Sequence, residues 1–369
     1  MQTFPPRIQG RIRFDDERKP MKAVVFEQFN TFPTLKEVPD PTPGSGEVLL
    51  KVAGAGCCHS DVSVFQDYTP ETGSHTKPPF ILGHETTGWV EEVGPDVTGF
   101  KKGDAYIVYG PTGCGHCPHC VAGQENYCSS AATNKSLALG LGRDGGMAEY
   151  MTVPARNLVP LGDADPIGAA PLADAALTPY HAIRAAMPHL NGGGKYALVI
   201  GLGGLGQIAI QILHALTGAT VIATDTKPEA LAKAEAKGAI PVVSDEHQVE
   251  NIRKITHGEG VDAAFDFVGV APTIAAAQAA GGPGSRVTVV GIAGGKAEYD
   301  WYSKPWEQEL LGVYWGSIPE LYDVANMYRN GQIETEIETY SLDNALDAYH
   351  KLVDNKLSAR AVVVPHTKA

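Results

Sequence analysis

Four of the chain's six cysteines fall in one short stretch, GCGHCPHCVAGQENYC, as Cys114, Cys117, Cys120 and Cys128, spaced C-x2-C-x2-C-x7-C. Four thiolates on one lobe can close a tetrahedron around zinc without help from distant chain. An iron–sulfur cluster uses similar cysteine runs, and disulfides would use the same residues, so both stand beside zinc as readings of the spacing. A zinc closed by four thiolates has no open position and cannot bind a substrate, so this group is expected to be structural. A sparser set lies upstream: Cys58 and His59 in AGAGCCHSD, and His84 beside Glu85 in LGHETTGW. Taken alone, Cys58 would be read as a buried free thiol. A third signal is Gly201-Leu202-Gly203-Gly204-Leu205-Gly206, which follows the apolar ALVI and opens an amphipathic segment. Gly201 and Gly203 permit a tight turn and the close approach of a pyrophosphate, and Gly206 lets helix and strand pack closely. The helix N-terminus supplies free N–H groups and a positive dipole. The next strand, TVIATD, ends at Asp225, whose carboxylate would accept ribose hydroxyls and repel a 2′-phosphate. NAD is therefore expected rather than NADP.

These residues need a frame to hold them. From Met21 to about Leu172 the segments are short and strand-like, broken by turns such as PTPGSG and GPDVTG. From about residue 175 strands alternate with helical segments, the pattern of a parallel sheet with crossover helices. After about residue 316 two helical segments lead to a closing strand, ARAVVVP. The expected class is α/β: a β-rich domain over 21–175, a doubly wound cofactor domain over 176–315, and a return to the first over 316–369. Residues 1–20 are expected to be an arm. They carry charges but no apolar segment of a secretory signal, so a cytoplasmic, reducing compartment is expected, where clustered cysteines favour metal over disulfides. A net charge of −13 disfavours nucleic acid and anionic membranes as partners. The most apolar run is interrupted by glycines and glutamines, so no membrane span is expected.

With these motifs in order, the chain resembles the zinc-dependent medium-chain alcohol dehydrogenases from Met21 to about Pro365. The resemblance rests on GAGCCHSD, GHETTGWVEEVG, the four-cysteine lobe, GLGGLG with its following acid, and ARAVVVP. Through PLADAALTPYHAI and VYWGS it is similar to bacterial NAD-dependent secondary-alcohol dehydrogenases. The resemblance implies a GroES-like catalytic domain with a Rossmann domain, two zincs per chain, and reversible hydride transfer between a secondary alcohol and NAD. Primary alcohols, polyols or a specialised metabolite are the alternative substrates, and a non-catalytic NAD-binding protein is a further alternative. The implied ligands of a catalytic zinc are Cys58, His84 and Asp174, where many relatives carry cysteine at the third position; Asp174 could otherwise cap the helix that follows it. Ser60 matches the hydroxyl that takes the substrate proton, Asp61 an acceptor that fixes a ligand histidine, and Glu85 a carboxylate behind the zinc. His59 and Arg360 match positions at the pyrophosphate, and Thr178, Val268, Val290 and Ile292 positions around the dinucleotide. Trp315 is expected in the substrate pocket or a subunit interface, with core packing as its alternative. The sequence departs from the family at Ser63, where many relatives carry a histidine that ends the proton relay. A homo-oligomer, dimer or tetramer, is expected, acting on a small-molecule alcohol or ketone.

Overall fold

The computed structural model describes residues 20–70, 77–130, 138–302 and 304–366. The arm expected over 1–20 lies, except for Pro20, outside the described residues. The first half is built from strands β1 (Met21–Phe26), β2 (Thr34–Val38), β3 (Glu47–Gly56), β4 (Phe80–Ile81), β5 (Glu85–Val93), β6 (Ala105–Val108), β7 (Ala138–Leu139), β8 (Gly142–Arg143), β9 (Tyr150–Pro154) and β10 (Leu158–Pro160). β1, β2 and β4 form a three-stranded sheet and β7 pairs with β8, while β3 lies between β5 and β9 and is buried almost end to end.

The second half supplies β11 (Tyr196–Ile200), β12 (Thr220–Asp225), β13 (Ile240–Val243), β14 (Val261–Asp266), β15 (Gly281–Val289) and β16 (Glu309–Gly312), then β17 (Ile337–Ser341) and β18 (Arg360–Val364). Strands β11 to β16 form one parallel sheet in the order β13-β12-β11-β14-β15-β16. That is the doubly wound order, and it leaves a crevice at the carboxyl ends of β11 and β14, where the direction of winding reverses. The run YALVI reads as a central strand because it is apolar throughout, and helices cover it on both faces.

The chain then returns. β17 and β18 join the first half's sheet, in the order β10-β6-β5-β3-β18-β17, with β9 also paired to β3. One apolar cluster runs from Ile107 and Tyr109 through the helix Leu177–Leu190 to Val199, Phe265 and Trp315, so both halves share a core. Among the described residues, no helix is long and apolar enough to cross a membrane.

Candidate functional site

Sheet register brings the sparse residues together. Gly56 at the end of β3 lies opposite Glu85 at the start of β5, and opposite Val362 of β18 on its other side. Cys58 just past β3, His84 just before β5 and Arg360 at the start of β18 are therefore forced to one place. Asp174 reaches the same place from the short turn Ala170–Ala173 that precedes the helix Leu177–Leu190. That helix is preceded by Ala176 and has no side-chain cap, so Asp174 does not act as its N-cap.

Cys58, His84, Glu85 and Asp174 each place a ligand atom within 4.8 Å of the others. Asp174 Oδ2 is 3.6 Å from Cys58 Sγ and 3.4 Å from His84 Nε2. Such separations suit ligands about 2.0–2.3 Å from a shared tetrahedral zinc. Among the described residues, His84 Nε2 is buried and makes no hydrogen bond, its nearest acceptor being Asp174 Oδ2 at 3.4 Å, although a buried polar atom without a hydrogen bond is costly. The charge points the same way: burial opposes a proton on His84, yet Asp61 and Asp174 push its pKa well up. A thiol, an imidazole and a carboxylate that together demand a cation fit zinc.

The surrounding groups fix these donors. His84 Nδ1 is 2.9 Å from Asp61 Oδ1, which leaves Nε2 facing the cluster. Asp61 Oδ2 accepts from the Cys58 amide at 3.0 Å and from the Tyr349 hydroxyl at 3.1 Å. Thr178, expected near the dinucleotide, donates its hydroxyl to Asp174 Oδ1 at 2.5 Å and leaves Oδ2 for the cluster. Ser60 Oγ lies 3.6 Å from Cys58 Sγ, and Ser63 is half-buried on the same helix, His59–Gln66. Glu85 is engaged on both oxygens. Arg360 donates Nε to Oε2 at 2.8 Å and Nη2 to Oε1 at 2.5 Å, and the Ala175 amide donates to Oε1 at 3.0 Å. Glu85 thus belongs to a buried ion pair behind the three donors. Trp315 is 5% exposed, donates Nε1–H to the Ala173 carbonyl at 2.7 Å, and sets its ring edge-on to His84 at 5.5 Å. It is core and wall of this cluster at once.

The glycine turn lies at the end of β11. Gly201 has φ +85°, and a Cβ on Gly206 would stand 2.0 Å from the Gly201 carbonyl oxygen, so both positions require glycine. A Cβ on Gly203 would meet nothing within 4 Å, and no side chain caps the helix Gly204–Leu216. Open space over an uncapped helix N-terminus is a cradle for a pyrophosphate. Asp225 Oδ2 accepts from the Leu202 amide at 2.7 Å and Oδ1 from the Lys227 amide at 2.9 Å, which pins the carboxylate beside the turn with acceptor capacity to spare. Val268 packs over Gly201, Val290 is buried just past β15, and Ile292 is 60% exposed along the same crevice edge. Arg360 reaches this site as well: a Cβ on Gly204 would lie 3.4 Å from its Nη1. His59 reaches the surface, and partial burial first, then the charge of Arg360, lowers its pKa.

Two contributors have no signature in the sequence. Buried Asp266 accepts from the Val268 and Gly269 amides and from the Thr273 hydroxyl, which shapes the loop that presents Val268. Tyr349 is equally hidden, because its helical spacing marks only an inner face.

The four-cysteine lobe stands apart. All six cysteines of the chain are free thiols, and the lobe's four sulfurs lie within 4.8 Å of one another. Backbone amides point at the sulfurs: Cys117 N at Cys114 Sγ, 3.3 Å; Cys120 N at Cys117 Sγ, 3.5 Å; Cys114 N at Cys128 Sγ, 3.3 Å. Amides of Cys120 and Ser129 pull the Cys117 thiol down to about 5, whereas burial pushes Cys120 up to about 12. Four sulfurs this close, with amides aimed at them, fit a four-thiolate zinc. Arg156 fastens the lobe to the body, pairing with Glu125 and donating to the Cys120 carbonyl at 2.9 Å. Cys117→Ser is expected to lower zinc content from two per chain to one and the unfolding temperature by about 4 °C, the effect of about 3 kcal/mol in a chain of this size. Metal analysis and calorimetry check this; two zincs retained with an unchanged unfolding temperature would contradict it.

The comparisons with known proteins agree with this geometry. Residues 44–163 match the family described as alcohol dehydrogenase GroES-like domain, and residues 204–330 match zinc-binding dehydrogenase. The NAD-dependent alcohol dehydrogenase of Sulfolobus acidocaldarius is 36% identical over 352 residues, 93% of this chain and 99% of that protein. The D-arabinose 1-dehydrogenase (NADP(+)) of Saccharolobus solfataricus is 33% identical, over 93% of this chain and 97% of that protein. The crystal structure of the alcohol dehydrogenase from Aeropyrum pernix superposes with a TM-score of 0.86 at 34% identity, covering 93% of this chain and all of that one. The expected fold, a β-rich GroES-like domain with a doubly wound Rossmann domain, is the one observed, and zinc and NAD are the cofactors that this fold and these sites take. The chain is an enzyme and belongs to the zinc-dependent medium-chain alcohol dehydrogenases.

Proposed function

We propose that this enzyme reversibly oxidises a secondary alcohol to a ketone with NAD, with Cys58, His84 and Asp174 as the residues that would hold the catalytic zinc. The observation that carries the proposal is the convergence of three unlike donors around the unpartnered His84 Nε2. When bound, zinc supplies a Lewis acid to the alcohol or carbonyl oxygen, and the nicotinamide supplies the hydride acceptor. The rest of the work falls to the chain. Asp61 keeps the proton of His84 on Nδ1, so that Nε2 offers a lone pair inward. Thr178 holds Asp174 in one rotamer. Ser60, beside Cys58, is placed to take the substrate proton at its Oγ. Ser63 stands where an imidazole would continue the relay, so Ser60 would have to pass its own proton on through solvent as it takes the substrate's. The turn Gly201–Gly206, Leu205 included, would receive the pyrophosphate with Arg360 and His59 alongside, and Asp225 would receive the ribose. Val268, Val290 and Ile292 would flank the ring and base.

The secondary-alcohol reading is supported by the segments PLADAALTPYHAI and VYWGS, which set Asp174 and Trp315 against the cluster. Trp315 closes one side, and apolar walls of this kind discriminate by only about 1–3 kcal/mol per methylene, so a range of alcohols is expected. A sugar substrate is the second reading, supported by the D-arabinose relative. Absorbance of NADH across primary, secondary, cyclic and aryl alcohols and sugars, each with NAD and NADP, separates these. Secondary alcohols with NAD are expected to give the highest kcat/KM. Turnover confined to primary alcohols or to sugars would overturn the substrate class, and an NADP preference would overturn the role of Asp225.

We also propose a homo-oligomer. β16 is an exposed edge strand with Leu310 41% exposed, and Trp301 and Trp306 nearby are 69% and 78% exposed. Uncovered strand edges and clustered exposed aromatics mark association surfaces. Light scattering is expected to give a multiple of the 39.0 kDa chain mass; a single-chain mass at working concentration would contradict the proposal.

A further inference from the structure

We infer that Tyr349 is a positioning residue for the metal site, holding His84 in place through Asp61. The inference rests on the assignment of Cys58, His84 and Asp174 as metal ligands. Asp61 is fully buried, and a buried carboxylate must have its oxygens satisfied. Oδ1 faces His84, so the orientation of the carboxylate plane depends on what grips Oδ2. Two donors do: the Cys58 amide at 3.0 Å and the Tyr349 hydroxyl at 3.1 Å. The first comes from a metal ligand's own backbone. The second comes from the helix Ala345–Val353, 288 residues along the chain from Asp61.

Tyr349 is itself held without freedom. It is fully buried, its ring meets Phe65 edge-on at 5.9 Å, and Ala345, Ala348 and Leu352 on the same helix face are buried with it. The next residue, His350, stacks on Phe32 at 4.3 Å, which fixes the helix against the first half. Among the described residues the hydroxyl has one acceptor, Asp61, and a buried hydroxyl with one acceptor has one orientation. A phenol so placed adds little to packing that a phenyl ring would not also give. What the oxygen adds is the second hold on Oδ2. Without it the carboxylate pivots on a single amide bond, and the imidazole loses the fixed partner that aims Nε2 at the metal. Groups that orient a ligand histidine typically change metal affinity by about 10–100-fold. The C-terminal return is thus wired to the ligand set by one hydrogen bond.

The test compares Tyr349→Phe with Leu352→Ala, which loosens the same helix without touching Asp61. Zinc release to a chromogenic chelator is followed in both variants and in the wild-type holoenzyme, together with the visible spectrum after cobalt replaces the zinc. Tyr349→Phe is expected to release one of the two zincs about 10-fold faster than wild type or more, with the other unchanged, and to shift the cobalt bands. Leu352→Ala is expected to lower the unfolding temperature and leave both release rates and the spectrum as in wild type. Release from Tyr349→Phe at or below the wild-type rate would overturn the inference. So would equal acceleration in Leu352→Ala, which would make Tyr349 a packing residue only. A wild-type enzyme that holds a single zinc would instead overturn the ligand assignment itself.

Discussion

The buried pair between Arg360 and Glu85 sits where the two chemistries of this enzyme meet. Its guanidinium grips both carboxylate oxygens directly behind Cys58, His84 and Asp174, and its third nitrogen borders the glycine turn at Gly204. Ion pairs removed from water gain little net stability, yet losing one partner leaves an uncompensated charge at a cost of about 3–5 kcal/mol. The pair therefore acts less as glue than as a registration device. It forms only when β18 lies beside β3 with β5 on its far side, so the fold is correct to within one residue or the charges are stranded. The same register delivers Cys58 and His84 to one point. The cofactor turn and the ligand set are thereby held in a fixed relation.

Around that anchor the two cysteine-containing sites divide the work by geometry. The lobe at Cys114–Cys128 offers four sulfurs and a ring of amides aimed at them, a saturated shell that suits structural zinc. It also braces the wall of the other site: the Ile318 amide donates to the Gly123 carbonyl at 2.8 Å, and Asn126 Nδ2 to the Tyr314 carbonyl at 3.0 Å, next to Trp315. The second site offers three donors and a hydroxyl, Ser60, within reach, which suits a metal that must also accept substrate. The carboxylate of Asp174, the third donor proposed for it, is held by the Thr178 hydroxyl through its other oxygen.

The sequence makes local motifs legible and distant pairings invisible. GLGGLG with Asp225, and the four cysteines, are short-range patterns in which the residues that act together are neighbours in the chain. The doubly wound sheet is equally readable, because strands such as YALVI alternate with helical runs. Cys58 and His84 are weak signals singly and gain meaning only from each other, while Asp174 enters through family resemblance alone. The grip of Arg360 on Glu85 depends on sheet register between residues 275 positions apart. Tyr349 and Asp266 look like ordinary inner-face and strand-end residues, and their hydrogen bonds exist only once tertiary packing has chosen their partners. Trp315 shows the same limit: its type suggested a pocket, an interface or a core, and only the fold shows a buried ring that is also the neighbour of His84.

The central claim is that chemistry resides at Cys58, His84 and Asp174 and not at the conspicuous cysteine lobe. Graded removal of metal from the wild-type enzyme, with zinc content and alcohol-dependent NADH formation measured on the same samples, tests it most directly. The account predicts two zincs per chain at the start, activity that falls in step with loss of the first, and a folded protein that still holds the second. Full activity in a protein holding one zinc would contradict it.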